Sequence, residues 1–318
     1  MGNVLQSRVP ATADGALLVD WLAARFTYFD AAAWRAQVTA GRVLRNQERA
    51  NVHDQLCAGD HVAFVPAPAP ATDVPVVVLH ADDDLVAVDK PPHLVAHRDG
   101  AFAQNTFLHA LERRIGAESP LHLVHRLDRE TSGVLLLARS ANVVTELQRQ
   151  FAQGNVVKEY VALVHGCVAA DRFTVDAPIG AAGGTIAARR AVVAADIRGA
   201  RAAVTEAEVI RHFAAHTLLR VRPRTGRTHQ IRVHLDHAGH PLVGDKLYGQ
   251  SDARYLDYVR HLKAGGDPSW PGQLLAGRQM LHASRLQLRH PRHGRDLALE
   301  APTPADLRAA IDALGPAD

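Results

Sequence analysis

His125-Arg126-Leu127-Asp128-Arg129-Glu130-Thr131-Ser132-Gly133 runs directly into the apolar stretch Val134-Leu135-Leu136-Leu137-Ala138. A short apolar run introduced by Thr-Ser-Gly reads as a buried strand. Asp128 then stands on a polar turn anchored to a rigid sheet, a place where reactive side chains are often carried. Arg126 and Arg129 flank it, so its ionised form is favoured at neutral pH. That suits a nucleophile or an electrostatic anchor better than a general acid. An isolated Arg-Leu-Asp is more often a capped surface turn, so further sequence has to decide.

A second block does so: Arg224-Thr225-Gly226-Arg227-Thr228-His229-Gln230-Ile231-Arg232-Val233-His234-Leu235, continued by Gly239-His240-Pro241-Leu242-Val243-Gly244-Asp245 and Tyr248-Gly249. Thr228 is placed as a helix N-cap, Ile231, Leu235 and Ala238 form an apolar stripe, and Gly239 with Pro241 ends the helix. Arg232 lies about a quarter-turn from that stripe, able to reach inward from its edge. Arg224 and Arg227, near the helix start, suit phosphate contacts.

The first block resembles the His-Arg-Leu-Asp-x-x-Thr-Ser-Gly motif of the large-ribosomal-RNA branch of RNA pseudouridine synthases. The second block resembles a later motif of the same family, in the right order. The likeness covers roughly residues 75–300. It implies an α+β pseudouridine synthase fold with a mixed, mainly antiparallel central sheet. It also implies that Asp128 is catalytic and that Arg232 pairs with it, keeping it ionised and oriented. Lys158-x-Tyr160 resembles the family's second motif, in which the tyrosine packs against the target base. Lys90-Pro91 is a further resemblance, although Pro92-His93 stands where a small residue and glycine are usual.

The implied chemistry breaks the N1–C1′ bond of a uridine, rotates the base and rejoins it through C5. It requires a carboxylate, a surface to hold the detached base and a proton acceptor, with no cofactor or metal. The nucleotide must also leave its stack, which is cheapest in loops. Stacking suits a base that must be held yet turn, so Tyr160 supports the base, and its hydroxyl is a candidate acceptor for the C5 proton. Arg126 could help turn out the nucleotide or bind phosphate.

The bulk properties agree with this. At 318 residues there is room for about two domains. A hydrophobic share of 47% with 22% charged residues describes a globular chain. A net charge of +3 and a pI near 9.1 permit a nucleic-acid partner without requiring one. Cys57 and Cys167 lie too far apart to suggest a disulfide framework or a cysteine zinc site. His234, His237 and His240 recur at a spacing of three, but lack acidic or cysteine companions to complete a metal-ligand set. With no apolar leader or membrane-length run, the expectation is a cytoplasmic protein without membrane or obligate protein partners.

Ahead of the catalytic region, residues 12–66 read as a small α/β unit. Leu17, Leu18, Trp21, Leu22 and Phe26 suggest one helix, Ala33, Trp34 and Val38 a second, and strands follow at Gly41–Leu44 and Ala58–Val65. This order is similar to an S4 RNA-binding domain, which puts Arg42 and Arg45 among the candidate RNA contacts, provided the unit's arginines gather on one face. Alternating Pro and Ala over residues 67–74 reads as a semi-rigid linker to a domain at 75–312.

The expected partner is RNA, ribosomal by family analogy. Arg98-Asp99-Gly100 with Asn105-Thr106 looks somewhat like transfer-RNA-acting members. A non-catalytic RNA-binding assembly factor and an RNA hydrolase are the competing classes. Intact Asp128, Tyr160 and Arg232 argue against the first, and the lack of a metal-ligand cluster against the second.

Overall fold

In the computed structural model of the chain, residues 5–26, 29–65, 76–94, 107–116, 121–263, 266–267 and 275–315 are described. The chain divides into two units, Met1–Val74 with His97–Ala110, and Pro75–Ala96 with Leu111–Asp318. The linker expected at 67–74, and the two segments likened to transfer-RNA-acting members, lie outside the described residues.

The first unit contains β1 (Leu5–Arg8), α1 (Leu18–Arg25), α2 (Ala31–Thr39), β2 (Val43–Arg45), β3 (Glu48–Arg49) and β4 (His61–Phe64). Its sheet has the order β1-β4-β2-β3, so β1 adds an edge ahead of residue 12, where the sequence reading began the unit. Both helices fall where apolar spacing put them. Asp30 caps α2 by accepting from the Ala33 amide at 2.8 Å. Fully buried Trp34 meets the Phe64 ring edge-on at 5.0 Å. Asn46 and Gln47 both take positive φ, the backbone of a tight two-residue hairpin between β2 and β3.

Arg45 is the last residue of β2, on the side of buried Val43, and Arg42 directly precedes the strand. Arg45 is also engaged by Asp60 at 2.6 Å, and Arg42 donates to Gln37 at 3.0 Å.

The second unit is built on one large sheet. Its elements are β5 (Val77–Ala81), β6 (Leu85–Lys90), β7 (His122–Leu123), β8 (Ser132–Ala138), β9 (Val157–His165), β10 (Arg172–Asp176), β11 (Ile179–Ala181), β12 (Arg190–Val192), β13 (Val204–Phe213), β14 (His216–Pro223), β15 (Leu281–Arg289) and β16 (Asp296–Glu300). The helices are α4 (Ala141–Ala152), α5 (Gln230–His237), α6 (Asp252–Lys263) and α7 (Ala305–Ala313), while α3 (Phe107–Arg114) straddles the division between units. The sheet order is β10-β13-β14-β9-β15-β8-β6-β5, with β16 on β15 and β7 on β8. Among the described residues only β8 and β15 pair in parallel, so the sheet is mixed and mainly antiparallel, as expected.

The run read as a buried strand is β8, with all seven residues buried. Leu147 of α4 packs against its Val134 and Leu136, Ile231 and Leu235 of α5 against Ala162, Leu219 and Val221, and Leu307 of α7 against Leu163 and Met280. Register then sets the site. Val221, Tyr160, Ala283 and Gly133 form one row across β14, β9, β15 and β8. Two small residues in that row separate Tyr160 from the turn that carries Asp128. Gly133 is required there: its φ is +109°, and a Cβ would collide with the Ala283 backbone.

Candidate active site

His125 ties the Asp128 turn to the sheet. Its Nε2 accepts from the Leu136 amide at 3.0 Å, and its ring stacks on Phe151 at 5.3 Å. Burial, with Lys158 nearby, pushes the imidazole down to about 4, so it remains neutral, as an acceptor must. On the other side Lys90, fully buried, donates to the carbonyls of Pro91, Leu94 and Arg129 at 2.7, 3.1 and 3.2 Å. Burial and Arg278 push its ammonium down to about 7. The three carbonyls nevertheless use all three N–H groups of the charged form, so we assign Lys90 as protonated.

The second block folds back over this turn. Gln230 pins the loop after β14: its Oε1 accepts from Thr225 Oγ1 and the Arg227 amide, and its Nε2 donates to Val204 O. The helix begins at Gln230, with His229 at the N-cap in the left-handed conformation, φ 58° and ψ 18°. Thr228 is therefore not the cap expected from sequence. It sits one residue too early, and the side chain of Gln230 satisfies a loop amide instead.

Helical spacing then puts Arg232 over Asp128. Arg232 Nη1 donates to Asp128 Oδ2 at 2.9 Å, while its Nε and Nη2 engage Asp245 Oδ2 and Oδ1 at 2.7 and 2.9 Å. Asp245 is fully buried, and its Oδ1 also accepts from the Leu247 and Tyr248 amides. The Tyr248 ring lies 4.9 Å from the guanidinium, in cation–π range. Burial alone would raise the Asp128 carboxyl. Arg232, His229 and a hydrogen bond from Gln279 outweigh it and hold the carboxyl below its ordinary range. Burial works against the guanidinium charge too, yet Asp245 and Asp128 raise its affinity for the proton.

Around the pair opens a cavity of about 390 Å³, lined by Arg126, Asp128, Lys158, Tyr160, Arg227 and His229 among others. Tyr160 turns its ring into it, and its hydroxyl has no hydrogen-bond partner among the described residues. Burial and Asp128 push that phenol well above its ordinary range, so it stays protonated. Lys158 donates to Thr225 O at 2.7 Å, and burial with Arg227 nearby lowers it to about 8. Arg126 is exposed at the rim, without a hydrogen-bond or ion-pair partner among the described residues. Arg224 does not line the cavity; it pairs with Glu206 at 2.8 Å on the surface. A wider depression near Arg149, Arg289 and Asp296 holds none of these groups.

The spaced histidines do not converge. His234 is buried between Thr205 and Ala177 O, and His240 faces His165 O. Asp84, His290 and His293 do come within ligand range of one another. His290 Nδ1, however, accepts from the Arg292 and His293 amides, leaving Nε2 to donate to Asp82 at 3.0 Å. Its lone pair is committed, so this is a closed hydrogen-bond cluster.

Residues 84–237 match the RNA pseudouridylate synthase family. The chain is 34% identical to a ribosomal large subunit pseudouridine synthase D of Xanthomonas campestris pv. campestris, covering 98% of this chain and 93% of that one. It is 33% identical to an uncharacterized RNA pseudouridine synthase of Chlorobaculum parvum, over 87% and 88%. This chain belongs to the RNA pseudouridine synthase family.

It is an isomerase that acts on uridines in RNA. The solved structure of human RNA pseudouridylate synthase domain containing 4 superposes with a TM-score of 0.57 at 28% identity, covering 75% of this chain and 92% of that one. For such an enzyme the cavity provides one ionised carboxylate, one aromatic face and a rim of cations. Sequence reasoning quoted Asp245, His229 and Tyr248 within the second block but gave them no role. The signal for Asp245 was an acid inside an apolar segment, Leu242-Val243-Gly244-Asp245, where an unpaired carboxylate would be costly.

Proposed function

We propose that this enzyme isomerises specific uridines of large-subunit ribosomal RNA, with Asp128 as the catalytic carboxylate. The observation that carries the residue assignment is the Asp128–Arg232 contact at 2.9 Å on the wall of a cavity that also presents Tyr160. A turned-out uridine enters with its base against the Tyr160 ring and its sugar toward Asp128. Arg232 keeps the carboxylate ionised and aimed, and Arg126, Lys158 and Arg227 meet the phosphates on either side. The names carried by relatives such as the Xanthomonas protein favour the ribosomal target. The first unit, with its S4-like order of elements, adds a second RNA contact in this reading.

The test is carbodiimide mapping of pseudouridine on unmodified ribosomal and transfer RNA incubated with the purified protein and with Asp128→Asn. New stops in large-subunit RNA that vanish in the variant are the expected result. Stops confined to transfer RNA would overturn the target, and stops that survive Asp128→Asn would overturn the assignment of the carboxylate.

A further inference from the structure

His229 is one of four non-glycine residues with positive φ among those described. Asn46 and Gln47 occupy a hairpin turn that calls for this backbone. His229 stands instead at the start of a helix, where such strain is tolerated when the side chain it directs is needed. Its ring lines the cavity and packs edge-on against Tyr248 at 5.7 Å.

The hydrogen bonds around that ring fix its tautomer. Nδ1 lies 2.9 Å from the Tyr248 hydroxyl, and this hydroxyl already accepts from the Arg190 amide at 3.1 Å. The proton of the buried hydroxyl needs an acceptor, and among the described residues His229 Nδ1 is the one in reach. Nδ1 thus holds the lone pair and Nε2 holds the hydrogen. Nε2 lies 4.0 Å from Asp128 Oδ2. That is too long for a hydrogen bond, but an oxygen seated beside both could lie about 2.9 Å from each.

The chemistry of the gap selects the oxygen. A carbonyl only accepts, so the ionised carboxylate repels it. A hydroxyl can accept from Nε2–H and donate to Asp128 at once. In a uridine the base offers only carbonyl oxygens, whereas the hydroxyl nearest the glycosidic bond is on C2′ of the ribose. We propose that His229, together with Asp128, reads the 2′-hydroxyl of the target nucleotide and so selects ribose over deoxyribose at the reacting position. This rests on the reading of Asp128 as the centre of uridine isomerisation.

The experiment uses the full-length protein and an RNA oligonucleotide containing the mapped uridine, either all-ribose or with a single 2′-deoxy substitution at that uridine. Single-turnover rates are compared for wild type, His229→Asn and Tyr248→Phe. Asparagine tolerates the left-handed backbone, and Tyr248→Phe removes only the hydroxyl that fixes the tautomer. Wild type is expected to slow about tenfold or more on the deoxy substrate, the worth of one hydrogen bond to a charged group. His229→Asn is expected to be slower on the ribose substrate and to lose little more on the deoxy one, with Tyr248→Phe between them. Any direct effect of deoxygenation on the glycosidic bond cancels in the ratio of ratios.

Equal discrimination in all three proteins overturns the inference while leaving the isomerase reading intact, since wild type still makes product. Wild type that makes no pseudouridine in any all-ribose RNA removes that reading, and this inference with it.

Discussion

Asp245 grips Arg232 with both carboxylate oxygens, at 2.7 and 2.9 Å, and leaves the arginine a single Nη1 to offer to Asp128. One buried cation thus serves two carboxylates, one committed to structure and one turned to the cavity. Asp245→Asn keeps the shape but removes the charge that fixes the guanidinium. We predict a fall in single-turnover rate of about tenfold or more, with RNA affinity little changed. Asp245→Ala leaves Arg232 buried with half its partners and should cost about 3 kcal/mol of stability as well. Rate measurements at saturating RNA, paired with urea melts, check both. An Asp245→Asn enzyme turning over at the wild-type rate would show that Arg232 needs no such brace.

The rim arginines should separate by their partners. Arg126, at the cavity mouth, has no ion-pair partner among the described residues and Arg227 lines the cavity, whereas Arg224 is spent on Glu206 away from it. Arg126→Ala and Arg227→Ala should each weaken RNA binding and reduce the salt slope by about one counterion. Arg224→Ala should leave both nearly unchanged. Titrations of a ribosomal RNA fragment at several salt concentrations read this directly, and an Arg224→Ala defect equal to that of Arg126→Ala would contradict the placement.

Much of this architecture was legible in local patterns. The Thr-Ser-Gly entry to β8 and the helices about Trp21 and Trp34 each follow from a few adjacent residues. What was not legible depends on distant register or on a single dihedral. Gly133 meets Ala283 only because β8 and β15 pair in parallel, across 150 positions of sequence. The helix cap moved from Thr228 because His229 took a left-handed backbone, which no residue preference favours in histidine over glycine. Asp245 looked like one more motif residue until the fold set it behind Arg232.

Acid should weaken the fold through its neutral histidines. His125 and His229 are both pushed down to about 4, chiefly by burial, from an ordinary value of 6.5. Between those values the unfolded chain binds more protons than the folded one, so stability falls as pH drops from 6.5 toward 4. For each histidine the full effect is on the order of 3 kcal/mol. The half-buried carboxyls of Asp89 and Asp236 are raised and act in the opposite sense, so the difference between proteins is the useful quantity. His125→Gln can still accept from the Leu136 amide. It should flatten the melting temperature against pH across this window, and parallel curves for variant and wild type would rule the assignment out.

Gly133 should tolerate nothing larger. It lies five positions after Asp128, with φ +109°, and an added methyl would strike both the carbonyl and the amide of Ala283. Those are backbone atoms of a sheet buried on both faces here, so neither can yield without opening the β8–β15 ladder and shifting the Asp128 turn. Gly239, at the end of α5, also has positive φ (+83°) but no atom near the place of a side chain. Gly239→Ala therefore meets only the backbone preference, about 1 kcal/mol. Gly133→Ala adds the collision, and we predict a loss of at least about 2 kcal/mol beyond that, together with lost activity. Urea denaturation of the two variants isolates the contact. Equal losses would mean that backbone conformation alone, and not the close approach of β15, demands glycine beside the Asp128 turn.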